Sequence, residues 1–163
     1  MKFLRAVRLD ASDESLFKLT GACEDGEWCV SGGYAVCDIA SGGCGRIGCS
    51  LNEDGAPRSP ACASSFIGVA THGRCTIAEV AELDEATYRA IVESLVRHFV
   101  DDLGAPSEAD ARHVAEEECA YTRELCEGFT PEVWITVRRE PTDEGVGEHY
   151  QVFQRLMIGK HAL

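Results

Sequence analysis

The sequence predicts an α+β domain in which a mainly antiparallel sheet, built from hairpins, packs on two antiparallel helices. Residues 84–103 and 107–127 show the three- and four-residue apolar spacing of amphipathic helices. Shorter segments on both sides of them alternate in side-chain size or polarity, as strands do. Because consecutive strands of a hairpin pair antiparallel, we expect a mainly antiparallel sheet.

Both helices have recognisable ends. Asp84 can cap the first helix, and Gly104 followed by Pro106 ends it. Ser107 and Asp110 form a capping pair for the second helix. Only a short link joins the helices, so they should be antiparallel neighbours. The second helix has a less apolar stripe, which contains Ala111, Val114, Ala115, Glu118, Tyr121, Thr122 and Leu125.

The expected strands are short. They cover residues 2–9, 28–37, 66–71, 74–83 and 133–138, and a last strand contains Tyr150, Val152, Leu156 and Ile158. Gly32-Gly33 can adopt positive φ, so the segment 28–37 is either one strand or a tight hairpin. His72-Gly73 and Asp143-Glu144-Gly145 are the expected turns.

Residues 38–64 differ from the rest of the chain in composition. They are rich in glycine, serine and cysteine and show no periodicity. Loops of this length within compact domains are usually functional or disordered. With 163 residues, the chain has the usual size of one domain. We therefore predict a single domain, 1–163, with a surface loop or insertion at 38–64.

The charge is strongly negative and unevenly distributed. The formal net charge is −13, and residues 79–128 contain 14 acidic and 4 basic side chains. Such a field repels nucleic acid and anionic membranes, so neither is an expected partner. Acidic helical faces are usually solvated surfaces. The functional alternative is a docking face for a basic protein partner.

The N-terminal residues and the cysteines predict a cytoplasmic protein. Arg5, Arg8 and Asp10 interrupt the first apolar run, which excludes a secretory signal there. No segment approaches the roughly 18 apolar residues of a membrane span. The nine cysteines cannot all pair internally. In a reducing compartment most should be free thiols that pack as small apolar residues.

The 38–64 segment contains two motifs with possible chemistry. Residues 43–48 read G-x-G-x-x-G, but Gly55 and Pro57 would break the helix that a dinucleotide site requires, so a flexible glycine loop is favoured. Cys44, Cys49 and Cys62 are candidate ligands for zinc or an iron–sulfur cluster. Further ligands would be Cys37, His72 and Cys75. The spacing lacks paired C-x2-C knuckles, so no cofactor is predicted and incidental small residues are favoured.

Glu118 is the candidate catalytic residue because it lies within the apolar stripe of the second helix. A buried carboxylate is costly unless it is paired or neutral, and such groups can act as general acids or bases. The favoured alternatives are that Glu118 lies at the edge of the stripe, or that an arginine or a backbone donor satisfies its carboxylate. Cys119 and Cys126 share its face, but no histidine is suitably spaced on the helix to activate them. Core packing is therefore favoured for both, and an enzyme is not.

Short motifs occur throughout the chain outside the 38–64 segment. They are Met1-Lys2-Phe3-Leu4-Arg5, Arg8-Leu9-Asp10, Ser12-Asp13, Gly26-Glu27-Trp28, Ser31-Gly32, Ala115-Glu116-Glu117-Glu118, Tyr121, Leu125-Cys126, Val137-Arg138-Arg139, Glu148 and Arg155-Leu156. In these motifs the chain resembles a family of small bacterial, mainly alphaproteobacterial, proteins catalogued only as a domain of unknown function. Among the cysteines the resemblance includes Cys126 alone, which weakens the metal hypothesis. The resemblance implies no activity for this chain.

Three functions are therefore open. The leading hypothesis is an accessory or interaction protein without its own catalysis, which binds a protein partner at the acidic helical face. The first alternative is a zinc- or iron–sulfur-binding protein that uses Cys44, Cys49 and Cys62. The second alternative is a small-molecule enzyme or binding protein that uses Glu118 in a pocket between sheet and helices.

Overall fold

A computed structural model describes residues 1–18, 20–35, 63–143 and 145–154 of the chain. The strands are β1 (Lys2–Val7), β2 (Trp28–Val30), β3 (Phe66–Gly68), β4 (Arg74–Cys75), β5 (Ile77–Glu82), β6 (Val133–Thr142) and β7 (Gly145–Gln154). The helices are α1 (Ser12–Leu16), α2 (Glu85–Asp101) and α3 (Glu108–Glu127), and Gly33–Ala35 form a 3-10 turn. The predicted α+β class is confirmed.

The strands form one sheet in the order β4-β3-β2-β1-β5-β6-β7, and every neighbouring pair is antiparallel. The central pair joins β1 to β5, from Lys2 opposite Glu82 to Val7 opposite Ile77. β6 and β7 form the longest hairpin, and β7 lies at one edge of the sheet. Local patterns predicted the antiparallel pairing but not this order of strands.

Both long helices begin at the predicted caps. The Asp84 carboxylate accepts a hydrogen bond of 2.7 Å from the backbone N–H of Thr87. Ser107 Oγ accepts from the Asp110 N–H at 3.1 Å and donates to the Asp110 carboxylate at 2.9 Å. Gly104 has a φ of +69°, as a residue that ends α2 should. Within the described part of the chain, no helix is long and apolar enough to cross a membrane.

Apolar burial is divided between two clusters. In the first, Phe3, Val30 and Ile67 of the sheet pack against the apolar faces of α2 and the first half of α3. In the second, central positions of β1, β5 and β6 pack with Cys126 near the end of α3. Because α3 contributes to both clusters, its inward residues lie at the junction of the core.

The strand predicted at 28–37 ends early. β2 stops at Val30, and Gly32, with a φ of +95°, leads into the 3-10 turn, so no hairpin forms at Gly32-Gly33. The reason is competition for backbone hydrogen bonds. The Ser31 carbonyl accepts from Arg139, and the Gly32 N–H donates to Glu118, so neither group is available to a strand ladder.

Two other segments differ from the predictions. Helix α1 forms within residues 10–26, for which neither a helix nor a strand is predicted. The strand predicted at 74–83 is interrupted at Thr76, whose hydroxyl donates to the Asp13 carboxylate of α1 at 3.1 Å. The predicted loop or insertion at 38–64 and the predicted strand positions Leu156 and Ile158 lie almost wholly outside the described residues.

Two glycine substitutions test the close packing of the β3–β4 turn. A Cβ at Gly73 would lie 2.5 Å from the backbone carbonyl of Ala22, which cannot move away cheaply. Gly73→Ala should therefore destabilise the fold by about 1–3 kcal/mol. Gly128→Ala is the matched control, because a Cβ there meets only ordinary contacts and the φ of −75° suits alanine. Urea denaturation measures both. Equal stability of the two variants would contradict the close approach.

Candidate functional site

Glu118 lies on the buried side of α3. Glu118 is 8% exposed, and its carboxylate accepts a hydrogen bond of 2.6 Å from the backbone N–H of Gly32. One turn further along α3, the Thr122 hydroxyl accepts from the Ser31 N–H at 3.0 Å. Two successive side chains of α3 therefore hold the backbone that follows β2.

The predicted stripe of α3 is only partly buried. Ala111, Ala115 and Thr122 are buried as expected, but Val114 and Tyr121 are exposed. The buried set instead includes Cys119 and Cys126, which the stripe did not contain but which sequence reasoning assigned to core packing. The inward face of α3 is thus rotated from Val114 and Tyr121 towards the two cysteines.

Arg139 of β6 supplies the positive charge beside Glu118. Its side chain is 1% exposed. The guanidinium donates to the Ser65 carbonyl at 2.8 Å and to the Ser31 carbonyl at 2.6 Å, and it lies 3.5 Å from the Glu148 carboxylate. Arginine suits this position because its planar donors can satisfy several acceptors at once. Arg139 therefore joins β6 to the segments after β2 and before β3 and to β7.

Glu148 of β7 completes the network at its partly exposed side. One carboxylate oxygen accepts from Ser31 Oγ at 3.4 Å and from the Tyr121 hydroxyl at 3.1 Å, and it also accepts from the Tyr150 hydroxyl. The two tyrosine hydroxyls lie 3.1 Å apart. Glu148 thus links β7 to α3 through side chains alone.

Among the residues that the structure describes, the network contains two carboxylates and one guanidinium, and their charges affect the protonation of Glu118. Burial is the main cause that raises the pKa of Glu118, and the charge of Glu148 adds to the rise. The Gly32 N–H and the Arg139 charge act in the opposite direction. Burial also raises the pKa of Tyr121 and Tyr150. The buried position therefore favours the protonated form of Glu118 more than water does.

The sequence identified Glu118 but missed its partners. A signal for Arg139 was present: it continues the alternation of Val133, Ile135 and Val137, three buried positions of β6. Several motifs that carry the family resemblance also meet here, namely Ser31-Gly32, Glu118, Tyr121, Arg139 and Glu148. Their meeting depends on the fold, because they come from four separate parts of the chain.

The described cysteines behave as core residues. Cys23, Cys29, Cys75, Cys119 and Cys126 are free thiols at buried positions. Burial raises the pKa of Cys119 and of Cys126 to about 12, so both stay protonated at neutral pH and are poor nucleophiles. The candidate metal ligands Cys44, Cys49 and Cys62, with Cys37 and the glycine motif at 43–48, lie outside the described residues.

A cluster of metal-binding residue types occurs elsewhere. One nitrogen each of His72 and His98 and one oxygen of Asp102 lie within 4.8 Å of one another. The two imidazole rings stack with centroids 3.6 Å apart, and His98 Nδ1 lies 2.7 Å from the Asp102 carboxylate. His72 is one of the further ligands that the sequence suggested, but Cys75 is buried in the second core cluster.

An apolar pocket of about 220 Å³ lies where α2 turns into α3. It is lined by Tyr34, Phe99, Leu103, Ala105, Pro106, Asp110, Ala111 and Val114. Tyr34 packs edge-on against Phe99, with ring centroids 4.9 Å apart, and so forms an aromatic wall. Leu103 and Val114 are 43% and 40% exposed. Asp110 is the charged residue among those that line this pocket.

Replacing Glu118 with glutamine should change how stability depends on pH. Because burial raises the folded-state pKa of Glu118, its neutral form is favoured by folding. The stability from this preference is complete below the unfolded pKa of 4.5 and is lost as pH rises towards the folded pKa. Glu118→Gln keeps an oxygen for the Gly32 N–H and cannot ionise. Its unfolding free energy relative to wild type should therefore increase as pH rises above 4.5.

Urea denaturation at several pH values measures this difference. Glu124→Gln, at an exposed position of α3, is the control and should show no such trend. A stability difference between Glu118→Gln and wild type that stays constant with pH would contradict the proposed protonation.

Comparison with curated proteins and with solved structures gives no match. Comparison with protein families does give one, and it covers residues 1–160, nearly the whole chain and every residue of the network and pocket described above. The chain belongs to DUF6505, a family of unknown function.

Proposed function

We propose that this protein is an accessory or interaction protein without catalysis of its own. Its partner is a basic protein segment that inserts one large apolar side chain into the pocket between α2 and α3. The observation that carries the proposal is this pocket, an apolar cavity that opens within the most acidic part of the chain. It gives the acidic helical face a place where a partner can be anchored.

The shape and lining of the pocket support an apolar anchor. Tyr34 and Phe99 provide a preformed aromatic wall, and Leu103 and Val114 are exposed beside it. Large apolar side chains that fill such pockets commonly dominate the affinity of protein interfaces. A cavity of about 220 Å³ is too small for most drug-sized ligands, which favours a single side chain.

The surrounding charge supports a basic segment. Asp110 lines the pocket, and Asp101, Asp102 and Glu108 are exposed at the same end of the helical pair. Arg112 pairs with Glu93 and Glu108, which neutralises only part of this charge. Lysine and arginine residues beside the anchor would be attracted to these acids and would associate faster at low salt.

A cytoplasmic location, and a bacterial and mainly alphaproteobacterial family, are part of the same proposal. The five buried free thiols support a reducing compartment, and the taxonomic range rests on the resemblance alone. The excess of acidic residues argues against nucleic acid or an anionic membrane as the partner. In this proposal the network of Glu118 has a structural role, and Cys44, Cys49 and Cys62 remain the alternative of a metal-binding function.

Selection of peptides tests the proposed partner. A displayed library of random peptides, selected against the immobilised protein at low salt, should yield sequences with one large apolar residue flanked by lysine or arginine. A selected peptide should bind Val114→Lys at least about tenfold more weakly than wild type, because the new side chain fills and charges the pocket. Its affinity should also fall as salt increases. Fluorescence anisotropy measures these affinities.

Val152→Lys is the matched control, because Val152 is equally exposed but lies on the edge strand β7. It changes the net charge by the same amount and should leave peptide affinity nearly unchanged. Equal weakening by the two variants would mean that bulk charge, not the pocket, binds the peptide. Selected peptides without a basic consensus would also contradict the proposal.

A further inference from the structure

We propose that His72, His98 and Asp102 form a binding site for a divalent transition-metal ion, with zinc as the ion to test. The site lies between the β3–β4 turn, which contains His72, and the end of α2, which contains His98 and is followed by Asp102. Its three residues include none of the loop cysteines and none of the residues that line the apolar pocket. The proposal is independent of the proposed partner.

The three side chains have the chemistry that zinc requires. Two imidazole nitrogens and one carboxylate oxygen are a common ligand set for zinc, and a fourth position stays open for water. The Asp102 side chain is 60% exposed, so water can reach that position. His98 and Asp102 lie one helical turn apart, which places both on one face of α2.

The ligand atoms are close to the geometry of a metal site, but they must move closer together and the imidazole rings must rotate before zinc can bind. In a tetrahedral zinc site, ligand atoms lie about 3.3 Å apart, as bonds of about 2.0–2.1 Å require. The atoms here lie within 4.8 Å, so a contraction of roughly 1.5 Å at most suffices. The nearly parallel rings must also rotate, because the lone pair of each nitrogen lies in its ring plane. Rotation of side chains can achieve both changes.

The backbone on the His72 side is held in place independently of the histidines. The Glu27 carboxylate accepts hydrogen bonds from the N–H groups of Ala70 and Thr71, and Thr71 Oγ1 accepts from the Gly73 N–H. These contacts fix a turn in which His72 has a φ of +58°, a left-handed conformation that is uncommon for residues other than glycine. Such strain persists only where surrounding contacts enforce it.

The helix is attached to the same turn. Ser94 Oγ donates to the Val69 carbonyl at 2.9 Å, one helical turn before His98. This bond sets the distance between the backbones that carry the two imidazoles. The C-terminal end of α2 also has a partial negative charge from its dipole, which favours a cation there.

His72 lacks a partner that its environment would normally provide. Its Nδ1 is buried, and it has no hydrogen-bond partner within the described part of the chain. A buried polar atom without a partner destabilises the folded state, because its hydrogen bonds to water are lost and not replaced. Coordination of a metal ion through this nitrogen would satisfy it, and this gain would favour metal binding at the site.

Zinc titration of the full chain tests the site. The titration should use a variant with the four substitutions Cys37→Ser, Cys44→Ser, Cys49→Ser and Cys62→Ser, so that the loop thiols cannot compete for zinc. In this background one zinc ion per chain should bind, as measured by competition with a chromogenic chelator. His72→Asn, His98→Gln and Asp102→Asn should each weaken binding by more than about 100-fold, since even changes to residues behind the ligands cost 10- to 100-fold.

His113→Gln is the matched control. His113 lies 2.9 Å from Glu117 on α3, a histidine–carboxylate pair with the same spacing as His98 and Asp102. His113→Gln should leave zinc affinity unchanged, and asparagine at position 72 tolerates the positive φ, so the turn should survive. Circular dichroism and urea denaturation confirm that each variant is folded.

Cobalt gives a second measurement in the same proteins. Cobalt bound to imidazole and carboxylate should show weak visible bands without the intense near-ultraviolet absorption of cobalt–thiolate bonds. Three results would overturn the proposal: zinc that binds only when the four loop cysteines are present, weakening by His113→Gln equal to that by His98→Gln, or unchanged affinity in His72→Asn.

Discussion

The buried guanidinium of Arg139 is the constraint on which much of this structure depends. A charge at this depth is tolerated only where hydrogen bonds and an opposite charge surround it. The carbonyls of Ser31 and Ser65 and the carboxylate of Glu148 meet that requirement. The segment after β2, the segment before β3 and the edge strand β7 must therefore converge on one point of β6. The apolar clusters alone would not specify this convergence, because apolar contacts have little directionality.

The same network sets the surface where we propose that a partner binds. Glu118 and Thr122 hold the backbone of residues 31–32 from one side, and Arg139 holds it from the other. The 3-10 turn that follows contains Tyr34, which forms a wall of the apolar pocket against Phe99. The position of the aromatic wall of the pocket thus depends on a buried charge network. This is how a structural role for Glu118 is compatible with a binding function nearby.

The sequence predicted the features that local interactions determine. The helices were accurate because caps such as Asp84 and Ser107 act on their own first turns, and the apolar spacing is read directly from the chain. The prediction for the segment after β2 was wrong because it could not include Arg139. This side chain redirects the backbone at Ser31 but lies 108 residues away in sequence. The break at Thr76 has the same origin, since its partner is in α1. Long-range side-chain contacts leave no local pattern. Arg139 is a partial exception, because it continues the every-second-residue spacing of the buried positions Val133, Ile135 and Val137.

The C-terminal end of α2 contributes residues to both proposed sites, so binding at one site can affect binding at the other. His98 and Asp102 face the β3–β4 turn, whereas Phe99 and Leu103 line the apolar pocket. Helix ends fray because their last carbonyls lack helical partners. A metal ion that joins His98 to Asp102 would stabilise the same turn that presents Phe99 and Leu103. Partner binding would then lose less conformational entropy, so occupancy of one site should strengthen the other, and by linkage the effect must be reciprocal.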